Sequence, residues 1–348
     1  MFSFVIFEIK KLKNTQALTV SNIRQETLNS VVISFEIPSN LKSQYAFKAG
    51  QYLTLSSNIN GEKVKRSYSI CSSPESMSLQ VGVKAIENGV FSNYVNDALR
   101  EGDSIEVSVP EGRFVLNDNP VANYCAFVAG SGITPLMSIV SDVLSKNKSS
   151  VFIMGYGNKT KASTMFTSDI DELKSLYPKR FYCYNIYSKE NNPEAAFGRI
   201  DSNFINYILK QHSDVIFEKV LLCGPEKMIE DSKETLEKAN YSKDKVLYEL
   251  FYSKPAVEDN EKGKGSSAKI IYDEETLDLE VPEKMTILDA ALQKNIDVPY
   301  SCQGGVCSSC IAKITSGTAT MIQNNILTDS EVEEGLVLTC QAIPQTKE

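Results

Sequence analysis

The sequence predicts a multi-domain chain: a small antiparallel β-barrel, an α/β domain around a parallel sheet, and a compact α+β domain organised by cysteines. Three observations carry this. Up to about residue 120 the chain runs in alternating or β-branched stretches parted by Gly, Pro, Asn and Ser. From Tyr124 short apolar runs alternate with longer amphipathic ones. Of eight cysteines, four crowd between residues 302 and 340. A chain of 348 residues, 42% apolar and 23% charged, has the makeup of a soluble globular protein and can bury two or three cores.

The barrel is expected over residues 1–120, from LTVSNI, VVISFEIP, QYLTLSS, VKRSYSI, SLQVGVKAI and SIEVSVP. One helix interrupts it, Ser92 to Leu99, with Ser92 as its N-cap after Gly89. The opening MFSFVIFEIKKLK reaches Glu8 and Lys10 too soon to span a bilayer. It has no basic start before its apolar run and no small-residue cleavage site after it, so neither a membrane anchor nor a secretory signal is expected and the compartment is read as cytoplasmic. Residues 121–253 are expected to form the α/β domain, with YCAFVAG, SVFIMGY, FYCYNIY and KVLLCG as strands, a helix after each, and VLYELF as a final strand. Residues 254–267, KPAVEDNEKGKGSS, bury almost nothing and read as a linker. Residues 268–348 then supply a hairpin, a short helix from Ile287 to Lys294 and a cysteine loop.

Charge divides the chain at the same place. The net charge is −8, and the 13 acidic and 5 basic residues from Ala268 onward account for all of it. No basic stripe suits a phosphate backbone, which argues against nucleic acid, whereas an acidic terminal domain suits a basic protein partner.

The cysteines Cys302, Cys307, Cys310 and Cys340 are spaced C-x4-C-x2-C-x29-C. Thiolates are soft, charged ligands for iron, and this spacing is that of a plant-type [2Fe–2S] site, with Gly304 and Gly305 letting backbone N–H groups turn toward sulfur. The alternative, a four-cysteine zinc site, ordinarily shows two C-x2-C pairs. Cys302 to Cys340 and their flanks, above all IDVPYSCQGGVCSSC, resemble plant-type ferredoxins over about 80 residues, which implies a β-grasp fold.

The other motifs are individually weaker. RSYS (Arg66 to Ser69) could be an ordinary half-exposed strand; GVFS (Gly89 to Ser92) opens a helix whose free N–H groups could hold a pyrophosphate. AGSGITP (Ala129 to Pro135) follows a strand and opens a helix, as a dinucleotide phosphate turn does, although Pro135 departs from G-x-G-x-x-G. LLCGPEKM ends another strand, where Cys223 has the ordinary reading of a small buried hydrophobe, and in YELF Glu249 has that of a solvated charge.

Taken together, these motifs resemble the ferredoxin–NADP reductase superfamily, and their order most resembles the reductase components of bacterial oxygenases, the phenylacetyl-CoA epoxidase type above all. The resemblance implies an FAD-binding barrel, with Arg66 on the pyrophosphate, Tyr68 stacked on the flavin, Ser69 near flavin N5, and Gly89 and Ser92 also on the pyrophosphate. It implies nicotinamide contacts by Gly130, Gly132, Thr134, Cys223 and Gly224, with Ser69, Cys223 and Glu249 closest to the chemistry. In NADP-specific relatives a Ser-Arg pair follows the third strand of this domain; here Ser188 and Lys189 stand there, and Lys159 replaces a frequent Arg, so positive charge remains and NADPH is favoured over NADH. The implied activity is electron transfer from NADPH through FAD and [2Fe–2S] to a partner oxygenase; a soluble carrier as acceptor, or a redox sensor without turnover, remain alternatives. His212, the single histidine, lies in the polar KQHSD and reads as solvated, and hydrolase chemistry lacks its residues.

Overall fold

The computed structural model describes residues 5–9, 15–76, 78–117, 122–251, 266–272, 275–294, 296, 298–300 and 302–345. The chain divides into a central unit, Gln16–Phe251, and a second unit drawn from both chain ends. The first strand, β1 (Val5–Ile9), belongs to the second and is described with it.

The central unit opens with six antiparallel strands: β2 (Gln16–Thr27), β3 (Ser30–Glu36), β4 (Tyr52–Ile59), β5 (Glu62–Ser69), β6 (Leu79–Lys84) and β7 (Ser104–Val107), ordered β5-β4-β7-β2-β3-β6. Bridging of Ile70 to Val81 brings the two outermost strands together and closes the barrel. Asn60 and Gly61 both take positive φ, 54° and 86°, between β4 and β5, the tight hairpin turn that Asn-Gly favours. A helix, α1 (Val90–Asp97), turns Phe91 and Val95 into the core beside Ile33 and Leu53. Its N-cap is Gly89, not the expected Ser92. The Ser92 hydroxyl lies one turn in, accepting the Ile86 N–H (3.3 Å) and donating to the Gly89 carbonyl (3.4 Å), so it fastens the preceding loop instead of capping the helix.

The parallel sheet follows as β8 (Asn123–Ala129), α2 (Ile133–Lys146), β9 (Phe152–Asn158), α3 (Thr167–Leu176), β10 (Phe181–Tyr187), β11 (Ala196–Phe197), α4 (Ser202–Gln211), β12 (Phe217–Gly224), α5 (Glu226–Lys238) and β13 (Val246–Leu250). Strand order is β11-β10-β9-β8-β12-β13. Cys125, Ala126, Phe127 and Val128 are wholly buried because helices cover both faces. Chain direction across the sheet reverses beside β8, with β9 on one side and β12 on the other, and the carboxyl ends of strands at such a reversal leave a crevice for ligands. Barrel and sheet are clasped together: Arg24 grips Asp169 through both guanidinium nitrogens (3.0 and 3.2 Å) and pairs with Glu26, while Glu26 accepts the Phe166 N–H (2.8 Å) at the start of α3. That bond holds Phe166 at φ 58°, a left-handed conformation uncommon for a bulky side chain.

The second unit contains β14 (Ser266–Tyr272), β15 (Glu275–Val281), α6 (Ile287–Gln293), β16 (Ile311–Ser316), β17 (Thr318–Met321), α7 (Asp329–Glu333), β18 (Leu336–Leu338) and β19 (Ala342–Gln345). Its five-stranded sheet runs β15-β14-β1-β16-β18, and β17 pairs with β19. Thr286 caps α6 by accepting the Asp289 N–H (3.2 Å), and Ile287, Leu288, Ala290 and Ala291 face the sheet. Two expected boundaries move. The barrel begins at Gln16, because Val5–Ile9 pair with β14 and β16 instead, and the expected linker over 254–267 gives way to strand at Ser266. The rest of that linker, 254–265, lies outside the described residues. Among the described residues no helix is long and apolar enough to cross a membrane.

Candidate functional site

In the barrel, β5 carries Arg66, Tyr68 and Ser69 against Leu55, Leu53 and Tyr52 of β4. Arg66 is exposed, its Nη1 donating to the Lys65 carbonyl (2.7 Å). Tyr68 lies half-buried with its ring 5.8 Å from Phe91 of α1, and burial pushes its phenol well above the usual range. Gly89 is required by space: a Cβ there would fall 2.4 Å from Ser92 Oγ and 2.5 Å from Ile86 Cγ1. The Ser92 hydroxyl is committed to the loop, which leaves the opening N–H groups of α1 as the donors at this end of the barrel.

At the carboxyl edge of the parallel sheet, Gly130 to Gly132 form a tight turn into α2. Gly130 takes φ 56°, and a Cβ on Gly132 would meet the Cys223 carbonyl oxygen at 2.4 Å. Glycine here lets the turn into α2 press against the end of β12. Thr134 is buried, its hydroxyl donating to the Ser131 carbonyl (3.0 Å), and a Cβ on Gly82 of the barrel strand β6 would stand 2.7 Å from its methyl group. Gly224, at φ 158°, ends β12 against Ala129 and Met228.

A further polar contact joins the two halves of the central unit beside the strand ends. Ser69 Oγ donates to Glu249 Oε2 at 3.4 Å, and Glu249 is paired in register with Cys223 on the neighbouring strand. Loss of water around the carboxyl pushes Glu249 up to about 8, against the hydrogen bond from Ser69, which lowers it. Glu249 is half-buried and engaged in this bond, so it is not the freely solvated charge that its sequence context suggests. Cys223 is wholly buried, and burial first, then Glu249 when ionised, pushes its thiol well above the usual range.

Lys159, Ser188 and Lys189 come together although 29 residues separate Lys159 from Ser188 in sequence. The Lys189 N–H donates to the Lys159 carbonyl (2.9 Å) and the Ser188 N–H to that of Asn158 (3.0 Å), which places both lysines at adjacent ends of β9 and β10. Lys84, which the motifs do not single out, joins them. Its Nζ donates to the Ser163 carbonyl (3.0 Å), and burial first, then the charge of Lys159, lowers its pKa. A cavity of about 450 Å³ lies next to these strand ends, lined by Lys161, Thr164, Asn185, Tyr187 and Asn192 among others. His212 is half-buried in a ring cluster, 2.8 Å from the Tyr184 hydroxyl and 4.9 Å from the Tyr182 ring, so it is a packed residue and not a solvated one.

In the second unit the four cysteines converge. Cys310 and Cys340 sulfurs are 3.4 Å apart, and Cys302 accepts hydrogen bonds from Cys307, Cys340 and the N–H groups of Gly304 and Val306, which together hold its thiol far below the ordinary range. Burial and the same partners push Cys307 and Cys340 the other way. This is a donor set that fits a [2Fe–2S] cluster: four sulfurs drawn together, with a backbone N–H donating to Cys302. Gly305 takes φ 71°, and a Cβ on it would press the Gln323 carbonyl and the Gln341 side chain at 3.0 and 3.1 Å. Gln341 is the residue sequence reasoning passed over. Fully buried beside Cys340, it donates to the carbonyls of Gln303 (3.0 Å) and Cys340 (2.8 Å) and lies 3.5 Å from Cys340 Sγ, tying the fourth ligand to the loop of the other three. Its one sequence signal was adjacency to that ligand.

Two outcomes are expected. Gly132→Ala should destabilise the central unit by about 1–3 kcal/mol, because the methyl meets backbone that cannot yield, and thermal unfolding will read it. Glu249 binds its proton more tightly folded than unfolded, so its contribution to stability falls as pH rises from the ordinary carboxylate range to about 8 and is level above. Glu249→Gln should flatten that stretch in denaturant titrations across pH; an unchanged slope means Glu249 ionises as an ordinary carboxylate.

Comparison with known proteins agrees with this geometry. The chain matches the family models for an oxidoreductase FAD-binding domain over 17–116, an oxidoreductase NAD-binding domain over 127–234 and a 2Fe-2S iron-sulfur cluster binding domain over 270–345. It is 35% identical to one of the subunits of 1,2-phenylacetyl-CoA epoxidase from Escherichia coli (strain K12), covering 95% of this chain and 96% of that one. It is 30% identical to the ferredoxin reductase component of 3-ketosteroid-9-alpha-monooxygenase from Rhodococcus rhodochrous, covering 94% of each. Among solved structures, phthalate dioxygenase reductase matches 96% of both chains at a TM-score of 0.62 and 21% identity, a likeness of fold. With flavin barrel, parallel-sheet nucleotide domain and four-cysteine domain in that order, the chain belongs to the three-domain oxidoreductases of the ferredoxin–NADP reductase superfamily.

Proposed function

We propose that this protein passes electrons from NADPH through FAD and a [2Fe–2S] cluster to a partner oxygenase. The observation that carries the reading is the Ser69–Glu249 hydrogen bond, because it sets a proton-holding pair where the flavin-binding strand meets the nicotinamide-binding strand ends. FAD held by Arg66 and Tyr68 would supply conversion between two-electron and one-electron transfer, and a cluster held by Cys302, Cys307, Cys310 and Cys340 would supply a one-electron exit.

The chain's own residues supply placement and charge. Arg66 and the opening N–H groups of α1, kept clear by Gly89, hold the flavin pyrophosphate. Tyr68, backed by Phe91, offers a ring face to the flavin. Gly130, Gly132, Thr134 and Gly224 form the floor on which the nicotinamide nucleotide lies, and buried Cys223 walls it. Glu249, carrying a proton at neutral pH, and Ser69 beside it hold that proton near the reacting ring. Cys302, Cys307, Cys310 and Cys340 hold the iron, with Gly304, Val306 and Gln341 donating toward sulfur.

Lys159, Ser188 and Lys189, reinforced by Lys84, present positive charge at one corner, which favours NADPH through its 2′-phosphate. The oxygenase as acceptor is supported by the names of the relatives: the E. coli protein is part of an epoxidase and the Rhodococcus protein is the reductase component of a monooxygenase. Reversing both charges, Lys159→Glu with Lys189→Glu, should raise KM for NADPH by about tenfold or more and leave that for NADH little changed. Equal losses for the two nucleotides would remove these lysines from the phosphate site. Cys307→Ser should strip the cluster yet leave FAD bound, so NADPH-dependent ferricyanide reduction persists while reduction of cytochrome c or an oxygenase component collapses. Undiminished delivery to the one-electron acceptor would show that electrons leave by another route.

A further inference from the structure

The central strand of the cluster-holding unit comes from the other end of the chain. β1 pairs in parallel with β14, Val5 opposite Ala268 through Ile9 opposite Tyr272, and antiparallel with β16, Phe7 opposite Ile314 and Ile9 opposite Ala312. Thr315 Oγ1 also donates to the Ile6 carbonyl (3.4 Å). Val5, Phe7 and Ile9 are 3%, 0% and 4% exposed and pack in one core with Ile270, Leu288, Cys310 and Cys340, while Glu8 faces outward. Among the described residues β14 and β16 share no strand partner except β1, so without it the sheet falls into the pairs β15-β14 and β16-β18. Two-stranded pairs are marginal on their own. β16 starts one residue after Cys310, and its other partner, β18, ends two residues before Cys340, so β1 joins the β15-β14 hairpin to the strand pair that adjoins two of the ligands. The iron–sulfur family match, 270–345, does not include it.

We infer that the cluster unit is a two-piece fold, in which residues 5–9 are a structural strand required to retain the cluster and the flavin–nicotinamide unit is an insertion between the pieces. This rests on assigning a [2Fe–2S] cluster to the four cysteines, which the parent protein's own iron and sulfide content checks separately. β1 acts by completing a sheet and touches no cofactor. Its alternation of buried and exposed residues, VIFEI, is that of a strand with one face on a core, and its apolar side chains have no other core to enter among the described residues.

The test uses the full chain and two variants, one lacking residues 1–9 and one carrying Phe7→Asp, with Glu8→Ala on the exposed face as control. Iron and acid-labile sulfide per flavin should fall at least about fivefold in both variants and stay at the parent level in the control, because an acid in the core or a missing strand opens the sheet. Hydrogen exchange of backbone amides supplies a readout independent of the cluster: protection should be lost across 266–345 and kept across 16–251. A synthetic peptide of residues 1–9, added during reconstitution of the deletion variant, should restore both. Parent-level iron and unchanged protection in the deletion variant would overturn the inference, as would equal loss of protection in the central unit, which would make the effect general.

Discussion

Everything in the central unit is arranged around one close approach, that of Gly132 to the carbonyl of Cys223. A Cβ at 132 would sit 2.4 Å from that oxygen, so the turn into α2 can close on the end of β12 only because the residue has none. β12, paired with β8 on one side, pairs with β13 on the other through five residue pairs that include Cys223 with Glu249. Glu249 is thereby brought to Ser69 of the barrel. Backbone approach, strand register and a single hydrogen bond thus form a chain of constraints from a glycine to a proton. Burial at its end pushes the Glu249 carboxyl up to about 8.

A second constraint holds the two subdomains of this unit so that the first can matter. Arg24 and Glu26 of the barrel take hold of the start of α3, through Asp169 and the Phe166 N–H, and Thr134 packs its methyl on Gly82. Glu26 is itself pushed upward by burial despite its bond to that N–H and its pairing with Arg24. A half-desolvated carboxylate satisfied by one cation and one backbone donor is costly to break, so it pins orientation more firmly than exposed pairs such as Lys63–Glu106. Orientation is what brings Ser69 within reach of Glu249.

Much of this was legible in the sequence for a definite reason. RSYS, AGSGITP, LLCG and the cysteine spacing are local: ligand chemistry demands particular residues at fixed offsets, and the strand and helix periodicities around them say which end of which element they occupy. What could not be read depended on neighbours distant in sequence. Lys84 gains its place only when β6 comes to Ser163, Gln341 only when the fourth ligand folds onto the first three, and the Glu249 pKa only from burial. Ser92 was misjudged for a different reason, since a serine just after a glycine fits both a cap and a first-turn hydroxyl that bonds backward, and only the backbone decides. His212 likewise sits in polar sequence and packs against tyrosines that come from β10.

The strand Val5–Ile9 escaped sequence reading because its partners stand at the other end of the chain: Ile6 and Thr315 are 309 residues apart. Thermodynamically such a separation is mild, since each doubling of loop length adds only about 0.6 kcal/mol to closure. Kinetically it is severe, because pairing of such high contact order must wait for the whole intervening unit. An apolar strand that waits is a template for wrong pairing. The sequence meets that hazard locally: Glu8 interrupts the strand's outer face, and Lys10, Lys11 and Lys13 follow it at once. Charges in and beside a short apolar segment oppose association between copies while leaving Val5, Phe7 and Ile9 free to enter the one core that accepts them. Residues 5–9, which the sequence assigns to the barrel, therefore carry the composition of a strand guarded against its own kind until distant partners reach it.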